Sequence, residues 1–114
     1  MDITRHHKSA RMSQIVEHDK LIYLSGQVGY GDTVTDQSKS MLASVDELLA
    51  EVNLDKSRLL SATIWLSDMA YFDEFNAVWD AWVDPENPPT RACGEAKLAT
   101  PDFFVEVIIV AAKR

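Results

Sequence analysis

Apolar residues recur along this chain with two different periods, and the order in which those periods alternate predicts the fold. Ser13 to Val16 and Leu21 to Val28 are rich in β-branched and aromatic residues and flank the turn-forming His18-Asp19-Lys20, which predicts a β-hairpin. The glycine-rich GQVGYGD then breaks the pattern and reads as a turn. From Ser38 to Val52 the residues Met41, Leu42, Val45, Leu48, Leu49 and Val52 repeat with helical spacing, so this segment is an amphipathic helix with one buried stripe. Asp46, Glu47 and Glu51 form its solvated side. Leu59 to Leu66 returns to strand character, and Asp68 stands where an N-cap belongs, ahead of a second helix. On that helix Phe72, Phe75, Val78, Trp79, Trp82 and Val83 share one broad face assigned to the core, and Pro85, Pro88 and Pro89 end it. Two further strands, Arg91 to Leu98 and Phe103 to Ala112, are joined by a turn containing Pro101. No repeat or linker divides residues 1–114, so the expectation is a single α+β domain with two helices packed on one face of a mixed sheet.

Strand side chains alternate between faces. In the last strand one face carries Phe103, Val105, Val107, Ile109 and Ala111, and the other Phe104, Glu106, Ile108, Val110 and Ala112. Both are apolar, yet two helices can cover only one of them. A solvated second face would be polar, so a second copy of the protein is the expected cover.

Two ionisable residues fall in this region. Arg91, Cys93, Glu95 and Lys97 alternate with the small Ala92, Gly94 and Ala96, which the pattern sets against the helices; Arg91 is thereby expected to point toward the subunit boundary together with Glu106. Ionised groups removed from water cost on the order of several kcal/mol unless something compensates. Arg91 and Glu106 could pair with each other or with polar groups of a neighbouring subunit. Alternatively Arg91 awaits the carboxylate of a small ligand, which its planar fork grips bidentately, and Glu106 is the acid/base group. Periodicity does not choose between these.

Composition narrows the classes. A net charge of -7 argues against nucleic acid as the main partner, because that binding needs a basic surface. No apolar stretch approaches the ~18 residues of a membrane span, and MDITRHHK lacks the apolar core of a signal peptide, which points to the cytoplasm. The one cysteine, Cys93, cannot form an internal disulfide; with no histidine near it in sequence it reads as a small buried residue rather than a nucleophile. His6 and His7 are adjacent, not at ligand spacing, and nothing completes a metal set around them.

The stretch SGQV at Ser25 to Val28, the segment ATIWLSDMAYFDEFNAVWDAWV, and the closing PTRACGEAKL with FFVEVIIVAAKR resemble the RidA/YjgF family of reactive-intermediate (enamine/imine) deaminases, and within it the short YjgF-like branch. The likeness runs in order over nearly the whole chain. It implies a chorismate-mutase-like fold and a homotrimer whose three sheets enclose a central barrel, with active sites in clefts between subunits. It also implies hydrolysis of 2-imino acids such as 2-aminoacrylate and 2-iminobutyrate to 2-keto acids and ammonia.

By the same resemblance Arg91 stands where the family's arginine binds the substrate carboxylate, and Glu106 where its glutamate activates the attacking water, helped by the backbone carbonyl of Cys93. Ser25 and Gly26 correspond to the pocket wall, Asn76 to a pocket asparagine, and Met12 to a position where RidA proper has a tyrosine, so this pocket lacks a hydroxyl. An iminium carbon is already electrophilic, so no metal, cofactor or covalent nucleophile is expected. The rivals are a non-catalytic trimer of the same fold that binds small carboxylates or acts as a regulator or holdase, and an endoribonuclease of the kind claimed for relatives, which the acidic balance disfavours.

Overall fold

The computed structural model describes residues 2–114. Its elements run β1 (Ile3–His6), β2 (Ile15–His18), β3 (Leu21–Leu24), β4 (Gln27–Val28), α1 (Val34–Glu51), β5 (Leu59–Leu66), α2 (Phe72–Trp82), β6 (Thr90–Glu95) and β7 (Val105–Ala112). The strands form one sheet in the order β1-β2-β3-β7-β5-β6, with β4 also pairing with β7. All contacts between neighbouring strands are antiparallel except β5 with β6, and the crossover that a parallel pair requires is α2. The expected mixed α+β sheet with two helices on one face is therefore present.

The helices cover the face that carries Val105, Val107, Ile109 and Ala111 of β7, all buried, together with Ala62, Ile64 and Leu66 of β5 and Ile15, Ile22 and Leu24 of the hairpin. Against them pack Met41, Leu42, Val45 and Leu49 of α1 and Phe75, Val78 and Trp79 of α2. The opposite face carries Glu106, Ile108 and Val110, flanked by Trp65 and Thr63 of β5 and by Tyr23 of β3, and among the described residues no element lies over it.

Element boundaries move where polar residues disguise them. Helix α1 begins four residues before the expected Ser38, because its first turn holds only Val34 as an apolar residue and is stabilised by capping instead. The Thr33 hydroxyl accepts from the Asp36 amide, and Glu74 of α2 accepts from both the amide and the hydroxyl of Thr35. Asp68 caps a 3-10 turn, Met69–Tyr71, that leads into α2 rather than α2 itself. The edge strand β1 was not distinct in the pattern, since Ile3, Thr4 and Arg5 are exposed and nothing alternates. Finally, β6 ends at Glu95, so Lys97 lies in the loop and not on the strand, and β5 lies between β6 and β7, which the sequence order had placed as consecutive strands.

Two devices fix the loops near the sheet centre. Between the Tyr23–Val110 and Gln27–Val107 pairs the β3–β4 strand advances four residues while β7 advances three, so Ser25–Gly26 forms a β-bulge. Beyond it, Gln37 of α1 is buried and fully bonded: its amide nitrogen donates to the carbonyls of Gly31 and Asp102, and its oxygen accepts from the Phe104 amide at 2.8 Å. This clamps the segments on either side of the bulged strand to α1, at a close approach that Gly29 permits.

A Cβ added at Gly29 would stand 1.9 Å from the Gln37 carbonyl oxygen and 2.6 Å from the Met41 nitrogen, both backbone atoms that cannot yield. Gly29→Ala is accordingly expected to destabilise the fold by on the order of 3 kcal/mol or more, read as a lower urea midpoint. At the other end of the sheet, Glu17 is held below the usual carboxylate range by a hydrogen bond from His6, opposed by burial and reinforced by Lys113 at 3.3 Å. A depressed carboxylate contributes stability above its unfolded-state pKa and loses it as pH falls through the folded value. Glu17→Gln should therefore cost on the order of 1 kcal/mol at neutral pH, with the gap to wild type closing in acid, measured by chemical unfolding at the two pH values.

Candidate active site in two halves

Arg91 is the second residue of β6 and lies in register with Ala62 of β5, while Cys93 lies in register with Ile64. Ala62 and Ile64 face the helices, so Arg91 and Cys93 do too. This corrects the expectation that the charged residues of β6 point away from α1 and α2. The small residues were misassigned for a physical reason: Gly94 belongs to the open face, where the Trp65 ring lies over it, and a Cβ there would come within 3.1 Å of the indole. Gly94 is small to admit a tryptophan, not a helix.

The Arg91 guanidinium is half-buried under α2. One of its Nη2 hydrogens is donated to Asn76 Oδ1 at 2.7 Å. Its remaining surroundings are aromatic: the ring centroids of Phe72, Phe75 and Trp79 stand 5.8, 5.7 and 5.5 Å from its central carbon. Residues 72, 75, 76 and 79 follow helical spacing, so one face of α2 presents three rings and an amide to one cation. Among the described residues Arg91 pairs with no carboxylate. Cys93 is half-buried beside it; burial pushes its thiol up, against a weaker downward pull from the Arg91 charge, which keeps it protonated and un-nucleophilic near neutral pH. The sequence had assigned the three rings to the core, and their role around Arg91 shows only through the Asn76 at their centre.

Glu106 builds a second group on the open face. It lies opposite Trp65 on one side and Val28 on the other, so its carboxyl sits between apolar neighbours. The bulge brings Gly26 against it: a Cβ on Gly26 would stand 3.1 Å from the carboxyl carbon and from one of its oxygens. Ser25 is fixed by donating its hydroxyl to the Ser13 carbonyl at 2.5 Å and its amide to the Gln14 carbonyl at 3.0 Å, which ties the β1–β2 loop to the bulge. Met12, next to Ser13, is 51% exposed. Glu106 has no ion-pair partner among the described residues.

The candidate residues thus gather into two sets, Arg91 with Asn76 and Cys93, and Glu106 with Ser25, Gly26 and the Met12 segment. Within one chain these sets stand on opposite faces of the sheet, so Arg91 and Glu106 neither pair nor share a pocket. Among the described residues no three His, Cys, Asp or Glu side chains come together as a metal set, and no helix is long and apolar enough to cross a membrane.

Each face of the sheet in this small α+β protein thus carries one partly buried ionisable side chain, Arg91 or Glu106, with no ion-pair partner among the described residues. Comparison with known proteins gives this class a family. The Endoribonuclease L-PSP family model matches residues 3–113. A RutC family protein of Haemophilus influenzae is 42% identical, covering 97% of this chain and 98% of the relative, and the RutC family protein YoaB of Escherichia coli is 37% identical over 98% of this chain and 99% of its own. The crystal structure of NMB1025 from Neisseria meningitidis, described as a member of the YjgF protein family, is 45% identical and superposes with a TM-score of 0.98 over 100% of this chain and 97% of that one. The chain belongs to the RidA/YjgF family, as its motifs had indicated.

Proposed function

We propose that this protein hydrolyses 2-imino acids and their enamine tautomers to 2-keto acids and ammonia, at sites assembled between neighbouring protomers of a homotrimer. The observation that carries this reading is the pair of half-sites, each with a partly buried ionisable group that has no ion-pair partner among the described residues, on opposite faces of one sheet. A neighbour packed on the open face would supply the missing half, and would also cover Ile108 and Val110. In this arrangement Arg91, Asn76 and the Cys93 backbone carbonyl come from one protomer, and Glu106, Gly26, Ser25 and Met12 from the next. The free Cys93 suits a reducing compartment such as the cytoplasm.

The chemistry follows from the groups. Arg91 has four N–H donors beyond the one held by Asn76, enough for a bidentate grip on the substrate carboxylate, and each charge-assisted bond contributes roughly 1.5 to 3 kcal/mol. Glu106 takes a proton from water as its oxygen adds to the iminium carbon, giving a tetrahedral amino alcohol. The same carboxyl returns that proton to nitrogen and then accepts the hydroxyl proton as the C–N bond breaks, ammonia leaves and the carbonyl forms. Gly26 lets substrate approach the carboxyl closely, since any side chain there would press on Glu106. Met12 contributes apolar surface in place of a hydroxyl.

A second reading takes its support from the family model, which carries an endoribonuclease name. The net charge of -7 weighs against it, because phosphodiester binding draws on a basic surface. A third keeps the geometry but not the turnover, with Arg91 gripping carboxylates in a binding or regulatory trimer. These separate when imines of several side chains are generated by an amino-acid oxidase and the survivors are trapped with semicarbazide: a deaminase lowers the trapped yield, and a pure binder does not.

Two variants test the assignment. Arg91→Ala is expected to lower kcat/KM by about ten- to hundredfold or more while the oligomer stays folded by size-exclusion and circular dichroism, and retained turnover would mark the arginine as structural. Arg91→Ala and Glu106→Gln chains, each strongly impaired alone, should rise to about a quarter of wild-type activity when unfolded and refolded together in equal amounts, because a shared site can draw one intact half from each chain. If both halves belonged to one chain, mixing would restore nothing.

A further inference from the structure

We infer that Phe72, Phe75 and Trp79 are positioning residues: an aromatic cage that holds the Arg91 guanidinium charged, oriented and free of any internal counter-ion, so that its fork is reserved for a ligand carboxylate. This rests on reading Arg91 as the carboxylate-binding group.

The usual way to stabilise a half-buried arginine is an acid on the facing helix, and α2 has several within reach in sequence. Asp73, Glu74 and Asp80 are immediate neighbours of the three rings, yet none pairs with Arg91, and Glu74 is spent on the amide and hydroxyl of Thr35. The face turned toward Arg91 carries rings instead. A carboxylate there would neutralise the cation and compete with the ligand for the same N–H groups. A ring attracts the cation through its π-face and occupies none of its donors.

The cage is also stiff. Phe75 is 0% and Trp79 5% exposed, and their centroids are 6.1 Å apart. Trp79 packs at 5.4 Å on Trp82, whose indole N–H donates to Asp46 of α1 at 3.0 Å, so the outer wall is anchored to the other helix. Asn76 then selects the rotation of the guanidinium within the cage. Phe72 is half-buried and forms its rim.

Because a substrate carboxylate is present equally in ground and transition states, damage to the cage should act on binding more than on the chemical step. The test measures KM and kcat with trapped imines and, separately, the Kd of 2-oxobutanoate, a stable 2-keto acid, by calorimetry. Trp79→Leu and Phe72→Leu should each raise Kd and KM by about two- to thirtyfold with kcat little changed. Trp79→Phe, which keeps a ring, should stay near wild type. Phe72→Glu, which puts a counter-ion into the rim, should abolish 2-oxobutanoate binding. If Trp79→Leu does not fold, the two Phe72 variants at the less buried position carry the test. Unchanged Kd in the leucine variants, or losses confined to kcat, would overturn the cage. Cage-dependent binding without imine turnover would leave the cage standing and remove the deaminase reading; a wild-type protein that turns over imines but binds no 2-oxobutanoate would do the reverse.

Discussion

Strand β7 lies inside the sheet with apolar side chains on both faces, and the chain has helices for only one of them. Everything else is arranged around that asymmetry. The helix-covered face gathers Val105, Val107, Ile109 and Ala111 into the core, and there the packing is complete. The other face keeps Ile108 and Val110 beside a carboxylate, and alternation along the strand leaves Glu106 no alternative direction. A polar residue at position 108 or 110 would have suited that face to water; the sequence instead keeps it apolar around one acid.

The two ionisable groups of the candidate site are treated by opposite means. Arg91 is surrounded by rings and one amide, which hold a cation without neutralising it. Glu106 is flanked by Trp65 and Val28 and approached by the backbone at Gly26, which leaves its oxygens open. Neither solution maximises the stability of an isolated chain, since a buried counter-ion would compensate each charge better. Such unsatisfied groups are the places where stability yields to function, and the β-bulge at Ser25–Gly26 belongs to the same pattern.

Family membership and this geometry constrain each other. Relatives 37% to 45% identical over nearly the full chain share the fold, but their names do not assign a reaction, and the family model carries the name of another activity altogether. The reaction is therefore argued from specific groups and not from the fold: on the proposed reading, the guanidinium ringed by aromatics and the carboxyl beside Gly26 are what would take a small carboxylate ligand.

How much of this was legible beforehand depends on the range of the interaction concerned. Strand β5 and the β2–β3 hairpin follow from period and turn chemistry alone, and so does the double apolarity of β7, because each is a property of contiguous residues. The start of α1 was missed because its caps include Glu74, 39 residues away in sequence. The facing of β6 was read backwards, since whether Gly94 or Cys93 meets the helices is decided by Trp65 on a strand whose parallel pairing no local pattern reveals. Sequence alone determined which residue types were available, Arg91, Asn76, Cys93, Ser25, Gly26 and Glu106 among them. Only the tertiary structure decided that they divide between the two faces of a sheet, because register and strand order arise from long-range pairing.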